Sequence, residues 1–163
     1  MSNIILGDGA LGTELRSRGV EVPSHTESIW SALALTENPD EIKNIHLDYI
    51  DAGSDFITIN NYAVTRPLLA RVGREDEIED LTLKSIELAE QAIKESDKDI
   101  MLAGSLPPLE TSYRADLIQD RESMLDQYAE IASILEGRVD IIICETMSCV
   151  LEAQCALSCL EDS

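Results

Sequence analysis

Four short apolar runs, separated by helical patterns, constrain the fold of this chain more than any other feature. Each run is aliphatic or β-branched and is bounded by Asp, Gly or Ser, which is typical of strands buried on both faces of a parallel sheet. The runs are NIILGDG (3–9), DFITINNY (55–62), DIMLAGS (99–105) and DIIICET (140–146). They predict four parallel strands, each followed by a helix.

Helical patterns fill the intervals between these runs. Asn38 is a predicted N-cap with a glutamate three residues later to close a capping box, and Gly53 stands where that helix should end. An apolar stripe at helical spacing covers residues 75–94, Asp120 is a predicted cap of a third helix, and a fourth helix follows Met147. Strict alternation of strand and helix is the signature of right-handed βαβ units, so the predicted fold class is α/β.

Two α/β architectures fit this alternation. A doubly wound sheet usually carries a glycine-rich phosphate loop after its first strand, but GDGALGTEL (7–15) has Thr13 at the third small position. A barrel needs eight strands in about 250 residues, whereas this chain shows four such runs in 163 residues. Composition and periodicity leave the choice open.

Charge and cysteine usage exclude some classes of function. Acidic residues outnumber basic residues 32 to 12, and a net charge of -20 repels phosphate backbones and anionic lipid. We therefore expect neither nucleic acid nor a membrane as a partner. No signal peptide or membrane span is evident, which predicts a cytoplasmic protein. Four cysteines near the end of the chain are predicted to be reduced thiols: Cys144, Cys149, Cys155 and Cys159.

Polar residues collect at the carboxyl ends of the predicted strands, where ligands bind in either architecture. Asp8 ends the first run and Glu145 ends the fourth. Because side chains alternate along a strand, Ile143 and Glu145 share one face and Cys144 faces the helices. The two carboxylates are then expected to face one cavity, where they suit an ammonium group, a metal or acid–base chemistry. In the alternative interpretation, each carboxylate only caps a helix or accepts loop amides. The other strand-end candidates are Asn60, Asn61, Tyr62 and Ser105.

The other candidate ligands form no convincing metal site in the sequence. His46 lies within the first amphipathic helix and His25 precedes Trp30, and neither has a partner at ligand spacing. Cys155 and Cys159 share a helical face, but that helix is expected on the outside of a barrel, where packed thiols are the favoured interpretation. Trp30 is either a cap over the cavity or a core anchor.

Five segments, in this order, resemble the homocysteine-binding domain of the homocysteine S-methyltransferase family. They are GDGALGTEL, IWSALAL with the NP helix start, HLDYIDAGSDFITINNYAVT, AGSLPPLETSYRADL and DIIICETM. The resemblance implies a (β/α)8 TIM-barrel type of fold, of which residues 1–163 form the first four βα units and the N-terminal half. The AGSLPP and SYR stretch looks closer to members that use S-methylmethionine or S-adenosylmethionine than to cobalamin-dependent ones.

The same resemblance implies a function in methionine biosynthesis, namely transfer of a methyl group to the thiol of homocysteine. Asp8 and Glu145 match acidic residues that hold the amino group of homocysteine, and Tyr62 matches a residue that lines the same pocket. Asn60, Asn61 and Ser105 match wall positions of that pocket. Tyr113 and Arg114 fall in a loop from which a donor carboxylate is within reach.

Complete family members hold zinc with three cysteines, one after strand six and an adjacent pair near strand eight. The zinc stabilises the homocysteine thiolate. These cysteines belong to the half that is absent from this chain, so we assign it no metal ligand and no catalytic residue and expect it to be inactive alone. The alternative is a non-catalytic half-barrel, either a remnant or an amino-acid-binding homodimer closed through its sheet edges. A barrel enzyme acting on a phosphorylated substrate is a weaker third hypothesis.

Overall fold

The computed structural model describes residues 4–23 and 29–160. Within these ranges, three parallel strands form one sheet in the order β1-β2-β3. The strands are β1 (Phe56–Thr58), β2 (Met101–Leu106) and β3 (Ile141–Cys144). Ile57 pairs with Leu102, and Gly104 pairs with Ile142. The prediction of an α/β fold with a parallel sheet is therefore confirmed.

The first apolar run does not form a strand of the described sheet, so the prediction of four βα units is not confirmed. It is joined to β1 by a single parallel bridge between Gly7 and Phe56. The Leu6 carbonyl accepts a hydrogen bond from the Asp55 amide at 2.7 Å, while the Leu6 amide donates to the Asp55 carboxylate, also at 2.7 Å. The ladder stops there because a side chain, rather than a backbone carbonyl, takes the Leu6 N–H.

Helices pack against the sheet. α3 (Pro39–Ala52) packs against α5 (Ile78–Ser96), α5 packs against α6 (Arg121–Leu135), and α6 packs against α7 (Val150–Ser158). No helix in the described ranges combines the length and the apolar character needed to cross a bilayer. The helices are α1 (Leu11–Ser17), α2 (Ala34–Glu37), α3 (Pro39–Ala52), α4 (Arg66–Ala70), α5 (Ile78–Ser96), α6 (Arg121–Leu135) and α7 (Val150–Ser158), with 3-10 turns at Trp30–Leu33 and Glu75–Glu77.

The helix ends follow the local sequence signals, with one exception. Gly53 ends α3 in the left-handed conformation with φ 105°, and the Asp120 carboxylate caps α6 by accepting from the Ser123 amide at 3.1 Å. Asn38 precedes α3 as expected, but its side chain makes no capping bond. The predicted capping box is wrong because the Glu41 amide donates to the backbone carbonyl of Asn38 at 3.1 Å instead.

The core lies between the sheet and its helices. The apolar stripe predicted for residues 75–94 is buried as a whole, and His46 of α3 is also fully buried. Neither ring nitrogen of His46 has a hydrogen-bond partner among the described residues, and burial lowers its pKa to about 4. In α7, by contrast, Val150 and Leu157 are 73% and 53% exposed while Glu152 is buried.

Candidate functional site

A cavity of about 450 Å³ opens beyond the carboxyl ends of β1 and β3. Residues 8–13, Trp30 and Ser31 line one part of it, and residues of β1 and β3, with those that directly follow these strands, line the rest. Two carboxylates line this cavity, and none of its described wall residues is Lys, Arg or His. The wall consists of Asp8, Gly9, Ala10, Leu11, Gly12, Thr13, Trp30, Ser31, Phe56, Thr58, Ile59, Asn60, Tyr62, Ile143 and Glu145.

Asp8 faces this cavity from the segment beside β1. Its carboxylate accepts hydrogen bonds from the Thr58 backbone amide at 2.8 Å and from the Thr58 hydroxyl at 3.0 Å. Burial raises the pKa of Asp8 above its ordinary value, the bonds from Thr58 oppose that rise, and the negative charge of Glu145 adds to it. The charge of Asp8 is therefore only partly compensated by the protein.

Glu145 reaches the same cavity from the end of β3. The Ser105 hydroxyl donates to Oε1 of Glu145 at 2.7 Å. Ile143 and Glu145 both line the cavity, whereas Ile142 and Cys144 pack against the hydrophobic core. This is the alternation expected of a strand. β3, whose four residues are only partly buried, ends on a charge here because its next cavity-facing position lies at the mouth of the sheet.

Two of the predicted wall residues, Asn60 and Tyr62, line the cavity. The Asn60 amide nitrogen donates to the Ser31 carbonyl at 2.8 Å, and the Ser31 hydroxyl donates to Oδ1 of Asn60 at 2.8 Å. The Tyr62 hydroxyl hydrogen bonds with the Ser112 hydroxyl. Burial raises the pKa of Tyr62, so the phenol is neutral and available as a hydrogen-bond donor.

The other two predicted wall residues, Asn61 and Ser105, lie behind the cavity. Both side chains are fully buried. Nδ2 of Asn61 donates to the Ser105 carbonyl at 2.8 Å, and the Ser105 amide donates to Oδ1 of Asn61 at 3.0 Å. This reciprocal pair joins the ends of β1 and β2. Asn61 thus supports the wall, and Ser105 acts on the cavity through Glu145.

A smaller cavity of about 190 Å³ adjoins the first and shares Trp30 and Tyr62 with it. The Arg71 guanidinium hydrogen bonds with two of its lining residues, Glu110 at 2.9 Å and Thr111 at 3.0 Å. The lining residues are Trp30, Tyr62, Ala63, Leu68, Glu110, Thr111, Ser112 and Tyr113.

Of the two loop residues singled out for a donor, Tyr113 belongs to the wall of this smaller cavity and Arg114 does not. Tyr113 is 85% exposed. The Arg114 guanidinium is engaged by Asp116 at 2.8 and 2.6 Å. A carboxylate of a ligand would have to displace Asp116 to reach it.

The sequence did not identify Thr58 as the hydrogen-bond donor to Asp8, and it left the position of Trp30 undecided. Thr58, Asn60 and Tyr62 are two residues apart and line the same cavity, so the strand period was a usable signal for Thr58. The Trp30 indole lies against Gly12, where a Cβ would collide with it, and the Arg16 guanidinium sits 4.2 Å above the ring. Trp30 is thus a wall of both cavities. His25 lies outside the described residues.

The described residues do not fit the zinc site that the resemblance implies. They contain no group of three His, Cys, Asp or Glu side chains placed to hold a metal ion. Cys155 is buried, and the Cys159 thiol donates to the backbone carbonyls of Leu125 and Cys155 at 3.4 and 3.3 Å. These thiols pack within the α6 and α7 pair, away from both cavities.

The chain is similar in sequence to homocysteine S-methyltransferases. The family model for homocysteine S-methyltransferase matches residues 5–163. The homocysteine S-methyltransferase of Escherichia coli (strain K12) is 31% identical over 159 residues, which is 89% of this chain and 50% of that protein. The homocysteine S-methyltransferase YbgG of Bacillus subtilis (strain 168) is 27% identical over 98% of this chain and 55% of its own length. This chain thus spans about half the length of these curated relatives.

Solved structures show the same similarity at the level of the fold. The metallated form of the homocysteine methyltransferase MmuM from Escherichia coli superposes with a TM-score of 0.84 at 30% identity, over 99% of this chain and 60% of that chain. Its apo form gives a TM-score of 0.72 at 28% identity, over 99% and 56% of the two chains. With a family model matched over nearly its whole length and the corresponding fold, the chain belongs to the homocysteine S-methyltransferase family.

Proposed function

We propose that this chain binds homocysteine in the larger cavity and that it is the homocysteine-binding half of an enzyme that makes methionine. One observation carries the proposal: Asp8 and Glu145 line a single cavity whose described wall has no basic side chain. An α-ammonium group supplies the positive charge that the two carboxylates lack. Asp8 and Glu145 are accordingly the proposed ammonium ligands, and Tyr62 and Asn60 the polar wall beside them.

The proposed reaction moves a methyl group from a sulfonium donor, S-methylmethionine or S-adenosylmethionine, to the homocysteine sulfur. A lone pair of the homocysteine sulfur forms the new carbon–sulfur bond, the donor sulfur keeps the electron pair of the broken bond, and the thiol proton is released to solvent. The smaller cavity supports this donor class because the aromatic side chains of Trp30, Tyr62 and Tyr113 line it, and aromatic rings attract cations. Within this scheme, the chain's own residues bind and orient homocysteine, and none is assigned a catalytic role.

Zinc belongs to the proposed complete enzyme, where it would stabilise the homocysteine thiolate. Because the described residues do not bring three metal ligands together, none of them is assigned to it. Residues 1–163 are proposed to be the N-terminal half of a (β/α)8 barrel in the cytoplasm. The similarity to MmuM supports the barrel, and the chain covers 60% of that protein.

Measurement of the homocysteine affinity of the Glu145→Gln variant tests the proposed function. Calorimetric titration should show binding about 30-fold weaker than wild type, about 2 kcal/mol, because a buried ligand charge loses its partner. The exposed Glu136 gives the matched control Glu136→Gln, which should bind like wild type. The deamino analogue 4-mercaptobutyrate should bind weakly to wild type and Glu145→Gln alike. Equal homocysteine affinity in Glu145→Gln and wild type would remove the proposed role.

A second candidate function is an amino-acid-binding module formed by two copies of the chain. Exposed apolar side chains near both ends of the described residues favour it: Ile4 is 85% exposed, and Val150 and Leu157 of α7 are 73% and 53% exposed. Exposed apolar surfaces commonly mark sites of contact with another protein chain. Light scattering after gel filtration should then give a dimer that Leu157→Lys converts to a monomer. A monomeric wild-type chain would contradict this candidate.

A further inference from the structure

A buried carboxylate outside the cavity, Glu152, joins the two loops that flank Glu145. Its side chain is only 2% exposed and forms no ion pair with any described basic residue. Oε1 accepts a hydrogen bond from the Leu109 amide at 3.3 Å, and Oε2 accepts from the Ser148 amide at 2.9 Å. A buried carboxylate carries a large desolvation cost, so a position that retains one requires an explanation.

The two amides belong to different parts of the sheet edge. Leu109 follows β2, and Ser148 follows β3. Glu152 stands in the first turn of α7, where a glutamate commonly accepts an amide of its own helix start, and this accounts for the bond from Ser148. Helix capping does not account for the bond from Leu109, which lies 43 residues away in the sequence.

Thr146, between Glu145 and this anchor, has a strained backbone. Its φ is 52°, in the left-handed region, which a β-branched residue rarely adopts. The strained conformation places the Thr146 hydroxyl 3.5 Å from Oε2 of Glu145. Surrounding contacts must stabilise a conformation that the residue does not adopt by itself.

We propose that Glu152 is a positioning residue for substrate binding. By accepting the amides of Ser148 and Leu109, it holds the turn after β3, keeps Thr146 left-handed and keeps the Glu145 carboxylate in the cavity. The inference rests on the proposed function of Glu145 as an ammonium ligand. It goes beyond that function because it assigns a role to a residue that does not touch the cavity.

Glu152→Gln tests the proposal in the full chain. A carboxamide has one acceptor oxygen, so one of the two amides must lose its partner. Hydrogen exchange of the Ser148 or Leu109 amide should become about tenfold faster, and homocysteine affinity should fall about tenfold. Glu122→Gln, in the exposed first turn of α6, is the control and should change neither quantity. A lower melting temperature with unchanged affinity would mean that Glu152 is merely structural, which overturns the proposal.

Thr146→Gly separates positioning from general stabilisation. Glycine adopts the left-handed conformation at no steric cost, so in this background Glu152→Gln should lower homocysteine affinity less than about threefold. An undiminished tenfold loss would overturn the proposed link through Thr146. Should Glu152→Gln fail to fold, Glu152→Asp, which keeps the charge but shortens the reach, is judged by the same readouts.

The two readouts, homocysteine affinity and amide exchange, distinguish failure of the proposed function from failure of the anchoring by Glu152. If the wild-type chain binds no homocysteine, the role of Glu145 fails first, and amide exchange alone then decides the anchoring by Glu152. In that case, unchanged exchange at Ser148 and Leu109 in Glu152→Gln overturns the anchoring as well.

Discussion

Asp8 and Glu145 face the same cavity, but the two sides of the molecule hold them differently. Asp8 lies on a segment joined to the sheet by one bridge, and Ile4 of the same segment is 85% exposed. Glu145 follows a strand with four register pairs to β2, and its carboxylate accepts from the buried Ser105.

The comparison shows that a site can combine a rigid side and a loosely attached side. The Glu145 side is supported by the ladder, by Ser105 and by the proposed anchor Glu152. The Asp8 side depends on Thr58 and on the Asp55 bonds to the Leu6 backbone. Because local opening is easiest where few buried contacts exist, we expect the Asp8 side to open first.

Lowering the pH should produce the largest effect on stability, through the core near the Asp8 side. His46 lies in α3, which packs against α1 and β1, and its pKa is lowered to about 4. Only the unfolded chain binds this proton between its ordinary pKa near 6.5 and 4. This contribution to stability is therefore complete above about pH 6.5 and is lost as pH falls through that window, by about 3 kcal/mol.

Urea unfolding of wild type and His46→Leu at pH 7 and at pH 4.5 measures this effect. The loss of stability on acidification should be smaller in His46→Leu, because leucine binds no proton. The same loss in both proteins would show that carboxylates elsewhere carry the acid sensitivity. Faster amide exchange near α3 before β3 opens would sharpen the contrast between the two sides.

Ser105→Ala should give the next largest effect, on the Glu145 side. It removes the single hydroxyl that donates to Oε1 of Glu145. Homocysteine affinity should fall by about 1.5 kcal/mol, close to tenfold, since hydrogen bonds to charged groups are the stronger ones. Asn61 keeps its two bonds to the Ser105 backbone, so the fold should persist. Binding unchanged in a calorimetric titration would contradict the support assigned to Ser105.

Thr58→Val is the matched change on the Asp8 side and should have a smaller effect. Valine keeps the β-branched shape and removes the hydroxyl, while the Thr58 backbone amide still donates to Asp8. We expect a loss of about 0.7 kcal/mol in homocysteine affinity, again by titration. A loss larger than that of Ser105→Ala would reverse the comparison, because it would make Asp8 the more closely supported carboxylate.

Asp55→Ala should have the smallest effect on the whole molecule. It removes the acceptor of the Leu6 amide at an exposed position, so global stability should change by only a few tenths of a kcal/mol. Amide exchange at Leu6 and Asp8 should nevertheless accelerate, whereas exchange in β3 should not. Equal acceleration at both sites would show that the two sides open together.

Much of the fold follows from signals that are local in the sequence. The α/β class, the end of α3 at Gly53 and the capping of α6 by Asp120 are predictable because they depend on neighbours within a few residues. The direction of Glu145 follows from strand alternation. The first run is not confirmed as a strand: the Asp55 side chain, and not a ladder carbonyl, accepts the hydrogen bond of the Leu6 amide.

The faces of α7 show where sequence patterns fail. The apolar residues of a surface helix usually face the core, yet in α7 Val150 and Leu157 are exposed and Glu152 is buried. Periodicity identifies the faces of a helix but not which face the rest of the molecule covers. In the same way, the position of Trp30 depends on its close approach to Gly12, which has no local signal.

The sequence by itself determined the alternation of strands and helices, the helix ends and the presence of carboxylates at strand ends, because these depend on short-range geometry. Only the tertiary structure decided which polar groups meet. Asp8 hydrogen bonds with Thr58, 50 residues away in the sequence. Glu145 hydrogen bonds with Ser105 at a separation of 40 residues, and Glu152 with Leu109 at a separation of 43. Such pairs depend on strand order and packing, through which residues distant in the chain come within hydrogen-bonding distance.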